Sequence, residues 1–157
     1  MAARPVVVSR PLEECFTLRA REAGGFDVME AALARKLRAL AVLEGRHAVI
    51  VEISDTCYNH YTQTLVDRID GAWVEAVADE FILSEAGNLD ESALAQLAGL
   101  GFAPPDETIL NHHQFLDPPV DWRLVAHLLI EPLVAVYGAG YRNELSVIVR
   151  DVGRPSD

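Results

Sequence analysis

Residues 61–81 constrain the fold most, because they contain a strong hairpin signal. Two runs typical of β-strands, YTQTLVDRI and AWVEAVADEF, flank the dipeptide Asp70-Gly71. This dipeptide favours a tight turn, since glycine adopts a positive φ without a Cβ clash. With Asp70 and Gly71 as the loop, Leu65 lies opposite Ala76 in an antiparallel pair.

The hairpin register predicts which side chains share a face of the sheet. One face is mostly apolar or small and is assigned to the core; it carries Gln63, Leu65, Asp67, Ile69, Ala72, Val74, Ala76 and Ala78. The opposite face is the candidate partner-binding surface, with the contact residues Val66, Arg68, Trp73, Glu75 and Val77. Its apolar members make it too hydrophobic for a simply solvated face, so either a partner or an N-terminal arm, residues 1–25, covers it.

Chain length and charge narrow the classes of function. A chain of 157 residues predicts one domain over residues 1–157, and half of the residues are hydrophobic. With 13 basic and 24 acidic residues, the net charge is −11, which argues against binding nucleic acid or an anionic membrane and suits a basic partner. The longest apolar runs are too short for a transmembrane helix, so membrane insertion is not expected.

The cysteines and the N-terminus indicate the compartment. Cys15 and Cys57 lack metal or redox spacing and are predicted to be reduced cytoplasmic thiols. The N-terminus lacks the long apolar run of a signal peptide. Lys36 is the single lysine beside many arginines and alanines, a composition typical of a GC-rich bacterial genome.

Periodicity predicts two shorter helices. The first has an apolar face at helical spacing, a cap at Asp27 with Glu30 three residues on, and an end near Glu44 before Gly45. The residues of that face are Met29, Leu33, Leu37 and Leu40. The second helix is predicted to begin after a cap at Asn88.

The remaining segments complete an α+β fold. Residues 47–53 and 144–152 read as strands, 102–118 as a proline-bearing loop, and 118–137 as a long buried helix kinked at Pro132. The prediction is an antiparallel sheet, made of a three-stranded meander plus a C-terminal strand, with helices packed on one face.

Four groups of residues are candidates for a chemical site. For each of them a purely structural role is the favoured interpretation. Cys57 and His60 lack an orienting acid, and Glu75 with Asp79 fits a charged sheet face. Adjacent His112 and His113, with His127 and Asp117 near in sequence, lack the spacing of a metal site, and GAGYRN at 138–143 lacks that of a phosphate loop. We therefore expect no catalytic residue, no metal ligand and no cofactor; a small enzyme or metal protein using His112 and His113 is the least favoured alternative.

Several segments from about Tyr58 to the end together resemble a known family. They are YTQTLVD, WVEAVADEFI, LAQLAGLGFAPP, ILNHHQF, WRLVAHLLIEPLVAVYG and LSVIV. On these segments the chain resembles the bacterial TY-Chap domains, whose name joins type III secretion chaperones with the YbjN family. The matching residues are Gln63, Glu75-Ala76-Val77, Leu100-Gly101-Phe102, Pro104-Pro105 and Asn111. Phe102 replaces the usual tryptophan, and His112 replaces the aromatic residue after the asparagine.

The resemblance implies a non-enzymatic, chaperone-like module that holds a peptide or protein client, in a fold like that of secretion chaperones and YbjN. Apolar contacts on the candidate surface and strand addition at a sheet edge are the expected binding modes. The alternative from another class is a structural or regulatory homodimer that uses the same surface and has no client.

Overall fold

Six β-strands form one antiparallel sheet in this computed structural model, which describes residues 13–67 and 70–153. The strands are β1 (Glu13–Arg19), β2 (Arg46–Ile53), β3 (Tyr61–Asp67), β4 (Gly71–Ala76), β5 (His112–Leu116) and β6 (Glu144–Gly153). Their order across the sheet is β1-β6-β2-β3-β4-β5, and all neighbouring pairs are antiparallel. The α+β class is confirmed, but the sheet has two strands, β1 and β5, beyond the predicted four.

The helical segments lie between the strands. They are a single turn α1 (Ala20–Ala23), α2 (Phe26–Ala41), α3 (Glu91–Gly99), α4 (Trp122–Glu131) and a π-helical segment (Pro132–Val136). Short 3-10 turns cover Asp79–Phe81 and Glu85–Gly87. Helices α2 and α4 pack against each other, and both contact β3.

The core lies between these helices and one face of the sheet. Along β2, β3 and the first half of β6, buried residues alternate with half-exposed ones, as the two-residue period of a strand requires. The fully buried side chains include Met29, Leu33, Leu37, Val49, Val51, Val66, Val74, Leu129 and Leu145. We call the half-exposed side of the sheet, opposite this core, the outer face.

Helix α2 has the predicted apolar face but not the predicted ends. Met29, Leu33 and Leu37 are 0% exposed and Leu40 is 2% exposed. Gly25 occupies the N-cap position, and Asp27 lies inside the first turn without a side-chain cap bond. The helix ends at Ala41, three residues before the predicted Glu44, and Glu30 is buried.

The hairpin is real, but its register was wrong. Asp67 pairs with Gly71, so the connection runs through positions 68–70 rather than through Asp70-Gly71 alone. The Asp67 carboxylate favours this turn because it accepts from the Asp70 backbone N–H at 3.4 Å and from the Arg46 Nε at 3.0 Å. Leu65 lies opposite Trp73, an odd shift of three positions from the predicted pairing with Ala76.

An odd shift turns every side chain of one strand to the other face. Val66 therefore lies in the core at 1% exposure, and Leu65 lies on the outer face. Val77, beyond the end of β4, is 0% exposed. Of the predicted surface, Trp73 and Glu75 remain on the outer face, and Arg68 lies outside the described residues. The face assignments of Val66 and Val77 were wrong.

Two further boundaries are corrected. Asp90, not Asn88, caps α3, with its side chain accepting from the Ala93 N–H at 2.8 Å. The segment 102–118 was predicted as a loop, yet it contains β5 at the edge of the sheet. The prolines on both sides of β5 favoured the prediction of a loop over this short strand. A strand at the edge of a sheet tolerates neighbouring prolines.

The long C-terminal helix begins later than predicted and changes its winding at Pro132. Asp121 caps α4 by accepting from the backbone N–H groups of Arg123 and Leu124. Pro132 has no N–H to donate, and residues Pro132–Val136 form a π-helical turn in which the Tyr137 N–H donates to the Pro132 carbonyl at 3.0 Å. The helix therefore changes its winding at Pro132, and the kink there stays a prediction.

The face assignment is tested with two neighbouring residues of β3. Val66→Asp would bury an unpaired charge and should lower the free energy of unfolding by several kcal/mol, or abolish folding. Leu65→Asp places the same charge on the half-exposed outer face and should remain folded. Circular dichroism and urea denaturation measure both. If Val66→Asp folds and Leu65→Asp does not, the result would support the predicted pairing of Leu65 with Ala76 instead.

The hairpin glycine gives a second test. At Gly71, with φ +101°, an added Cβ would collide with the Leu116 carbonyl oxygen and lie 3.0 Å from the Phe115 ring. Gly138, with φ +82°, has nothing within 4 Å of the same position and serves as the control. Gly138→Ala should cost about 1–2 kcal/mol of unfolding free energy from its φ, and Gly71→Ala distinctly more. Equal losses in urea denaturation would show that β5 does not crowd this turn.

Candidate partner-binding face

The outer face carries a band of apolar side chains that crosses five strands. Its members are Ala48 and Ile50 of β2, Leu65 of β3, Trp73 of β4, Phe115 of β5 and Ile148 of β6. All are at least partly exposed, and Phe115 is 47% exposed. The helices bury the other face of the sheet, so this band faces away from the core.

Trp73 lies at the centre of the aromatic part of this band. Its ring stacks on the His113 ring at 5.5 Å between centroids and 12° between planes. The Phe115 ring lies 6.3 Å from it at 41°. Leu65 is the cross-strand partner of Trp73, so β3, β4 and β5 together form an apolar platform. Contacts of Trp73 with the rings of His113 and Phe115 hold the aromatic part of the platform in place.

Acidic groups border the platform. Glu75 follows Trp73 by two positions in β4, so both side chains lie on the outer face. The Glu75 carboxylate accepts a hydrogen bond from the Gln63 Nε2 at 2.8 Å. Gln63 is neutral, and among residues 13–67 and 70–153 no arginine or lysine forms an ion pair with Glu75. By contrast, Asp67 pairs with Arg46 at 3.0 Å, and Glu144 pairs with Arg19. The Glu75 carboxylate therefore lies beside the aromatic rings.

The edge strand β5 is partly closed to strand addition. Ala103 bridges to His113 through an N–H to carbonyl bond of 2.8 Å and its reciprocal of 3.1 Å. Backbone groups of an edge strand point outward at every second residue, so Phe115 is the next position with outward groups. The edge thus offers a short stretch around Phe115 rather than the whole strand.

Residues of this band that the sequence analysis missed are Ile50, Leu65, Phe115 and Ile148. The wrong hairpin register places Leu65 on the core face. The prediction of a loop over residues 102–118 gives Phe115 no place in the sheet. Ile50 alternates with buried Val49 and Val51 in HAVIVEI, a signal that was present but not assigned to a face.

Cys57 and His60 line one cleft of about 190 Å³. Cys57 is exposed, whereas His60 is 5% exposed, with its ring packed on Tyr58 and Tyr137. The His60 Nε2 donates to the Gly87 carbonyl at 3.0 Å. These contacts give His60 a structural role.

The members of the other two candidate groups lie apart. The strand ends at Ala76, and Asp79 in the following 3-10 turn accepts from the Leu89 N–H at 2.8 Å, so Glu75 and Asp79 do not share a strand face. His112 and His113 are consecutive in β5 and therefore point to opposite faces. Burial lowers the pKa of His112, while the nearby Asp79 opposes that shift. Two rings on opposite faces cannot bind one ion.

One group of metal-ligating side chains does converge within the described residues. Ligand atoms of Glu30, His127 and Glu131 all lie within 4.8 Å of one another, at the contact of α2 with α4. Sequence reasoning missed it because its members come from helices that are far apart in the chain. His127 and Glu131, four residues apart, were the available signal.

Comparison of the chain with models of protein families, with curated proteins and with solved structures finds no match. Within residues 13–67 and 70–153, no helix has the length and hydrophobicity needed to span a membrane.

The buried tyrosine beside His60 predicts alkaline instability. Tyr137 donates to the Val77 carbonyl at 2.6 Å, and burial raises the pKa of its hydroxyl. In the unfolded chain a tyrosine ionises near pH 10, so the stabilisation is complete below that pH and is lost as the pH rises above it. Tyr137→Phe should lose about 1–3 kcal/mol at neutral pH, because the Val77 carbonyl loses its partner.

The measurement is urea denaturation at about pH 8 and about pH 11, on either side of the tyrosine pKa. Stability of Tyr137→Phe should fall less between these values than that of the wild type. Tyr141→Phe, at a tyrosine that is 50% exposed, is the control and should follow the wild type. Identical pH profiles for all three proteins would remove Tyr137 as the cause.

Proposed function

We propose that this chain is a non-catalytic binding module that holds a segment of a partner protein against the outer face. The observation that carries the proposal is the platform of Leu65, Trp73 and Phe115, which lies opposite the helix-covered face. Aromatic side chains contribute large contact area at low cost in conformational entropy. A partly exposed aromatic platform on a rigid sheet is therefore suited to binding apolar side chains of a client.

The charge pattern favours a basic client. The chain carries −11 overall, and Glu75, which has no arginine or lysine partner within the described part of the chain, lies two positions from Trp73 in β4. A lysine or arginine next to an apolar residue in the client could pair with Glu75 while the apolar residue packs on the platform. Opposite net charges also speed association over long range. The proposed ligand is thus a protein segment that combines apolar and basic side chains.

The segments that resemble TY-Chap domains support a chaperone-like role. YTQTLVD forms β3, WVEAVADEFI contains most of β4, and ILNHHQF contains most of β5. These are the strands that build the platform. We therefore propose a cytoplasmic, TY-Chap-like protein whose client lies across β3, β4 and β5, with a short backbone contact at Phe115.

Selection of peptides tests this proposal with defined ligands. Random peptides displayed on phage are selected against the wild-type protein, and the enriched sequences are synthesised for affinity measurement by calorimetry. We expect apolar and basic residues to be enriched. Leu65→Asp and Phe115→Asp should each weaken binding by at least about tenfold, since they place a charge in the contact.

Val42→Asp is the matched control, because Val42 is a 71%-exposed valine after the end of α2. It adds the same charge away from the platform and should bind like the wild type. Peptides that bind all four proteins equally, or a selection without enrichment, would contradict the proposal.

The same apolar band gives the second candidate function, a homodimer with no client. Two copies could bury their platforms against each other, as in a two-fold interface. Mass measurement in solution separates the two functions. A wild-type dimer that Leu65→Asp converts to a monomer favours the homodimer, whereas a wild-type monomer favours client binding.

A further inference from the structure

We infer that Glu30, His127 and Glu131 form a binding site for a divalent transition-metal ion between α2 and α4. The inference is independent of the proposed function, because it concerns the helix layer rather than the outer face. Two carboxylates and one imidazole approach one another within 4.8 Å. Mixed nitrogen and oxygen donors suit zinc and neighbouring first-row ions, whereas calcium and magnesium prefer oxygen ligands alone.

The backbone geometry brings the three donors together. His127 and Glu131 are separated by four residues on α4, so their side chains lie on the same face, one turn apart. Glu30 reaches the same place from the packed face of α2. Its Oε1 lies 2.8 Å from the His127 Nδ1. Two helices thus supply the ligands, and no loop has to order for the site to exist.

The distances need only side-chain adjustment to fit an ion. Zinc bonds of about 2.1 Å in tetrahedral geometry place neighbouring ligand atoms about 3.4 Å apart. The Glu30 to His127 separation of 2.8 Å is shorter than this value, and the 4.8 Å limit of the group is longer. A bound ion would increase the distance between Glu30 and His127. It would shorten the longer distances within the group. Water would complete the coordination on the exposed side.

Burial and charge around the site favour a bound cation. The Glu30 side chain is 9% exposed, and that of His127 is 39% exposed, so an ion enters from the His127 side. Arg123 lies 3.7 Å from the other Glu30 oxygen, Oε2, and donates to the Asp27 carbonyl at 3.0 Å. Arg123 therefore balances one carboxylate, and the charge of Glu131 remains for the ion.

Binding of the ion changes which ring nitrogen of His127 carries the hydrogen. In the metal-free protein the His127 Nδ1 donates to the Glu30 Oε1 at 2.8 Å. To ligate, Nδ1 presents its lone pair, and the proton moves to Nε2 or to solvent. This exchange needs no reactant besides the ion and water.

Titration of zinc into chelator-treated protein tests the site. Glu131→Gln is the decisive variant, because Glu131 makes no side-chain hydrogen bond or ion pair among the described residues and its loss should leave the metal-free fold intact. Glu107→Gln, at an exposed carboxylate in the segment before β5, removes the same charge elsewhere and is the control. Calorimetry gives affinity and stoichiometry, and the melting temperature is measured with and without zinc.

We expect the wild type and Glu107→Gln to bind one zinc ion per chain and to melt at higher temperature with zinc. Glu131→Gln should melt like the wild type in chelator but bind zinc at least about tenfold more weakly. Glu30→Gln, which retains a hydrogen bond to His127, should show the same loss. The inference is overturned if zinc does not bind the wild type, or if Glu131→Gln binds it as tightly as Glu107→Gln.

Discussion

Packing of α2 and α4 against the sheet decides which half of its side chains is buried. Because side chains alternate along a strand, one covered face fixes the identity of the other. Val66 under the helices leaves Leu65 outside, and Val74 in the core leaves Trp73 outside. Packing of the core therefore determines which side chains form the outer face. That face presents the apolar side chains of Leu65, Trp73 and Phe115.

Local signals in the sequence were sufficient for the parts of the fold that depend on one element. The apolar face of α2 and the strands β2 and β6 follow from spacing and β-branched content alone. Register depends instead on where the turn lies, and in the structure Asp67 pairs with Gly71. One misplaced turn moved Val66 from the core to the predicted surface. Trp73 and Glu75 were placed correctly on that surface because β4 kept its own alternation.

Contacts between distant segments were out of reach for sequence reasoning. β5 is a five-residue strand, and it is recognisable mainly by its pairing with β4. The same applies to Glu30, whose burial is explained only by His127 and Arg123 arriving from α4. An isolated helix would place Glu30 among solvated charges. Tertiary packing therefore created both the platform and the ligand cluster, each from residues that look ordinary in their own segments.

The two sites lie on opposite sides of the sheet, which has a consequence for how they would combine. An ion held by Glu30, His127 and Glu131 would tie α2 to α4 and stabilise the layer that covers the core. The platform of Leu65, Trp73 and Phe115 is built on strands that this layer holds in place. A rigid scaffold lets a binding surface keep its geometry without ordering when a client arrives, which conserves binding free energy. Metal in the helix layer would thus act on the stability of the scaffold, while the outer face would contact the proposed client.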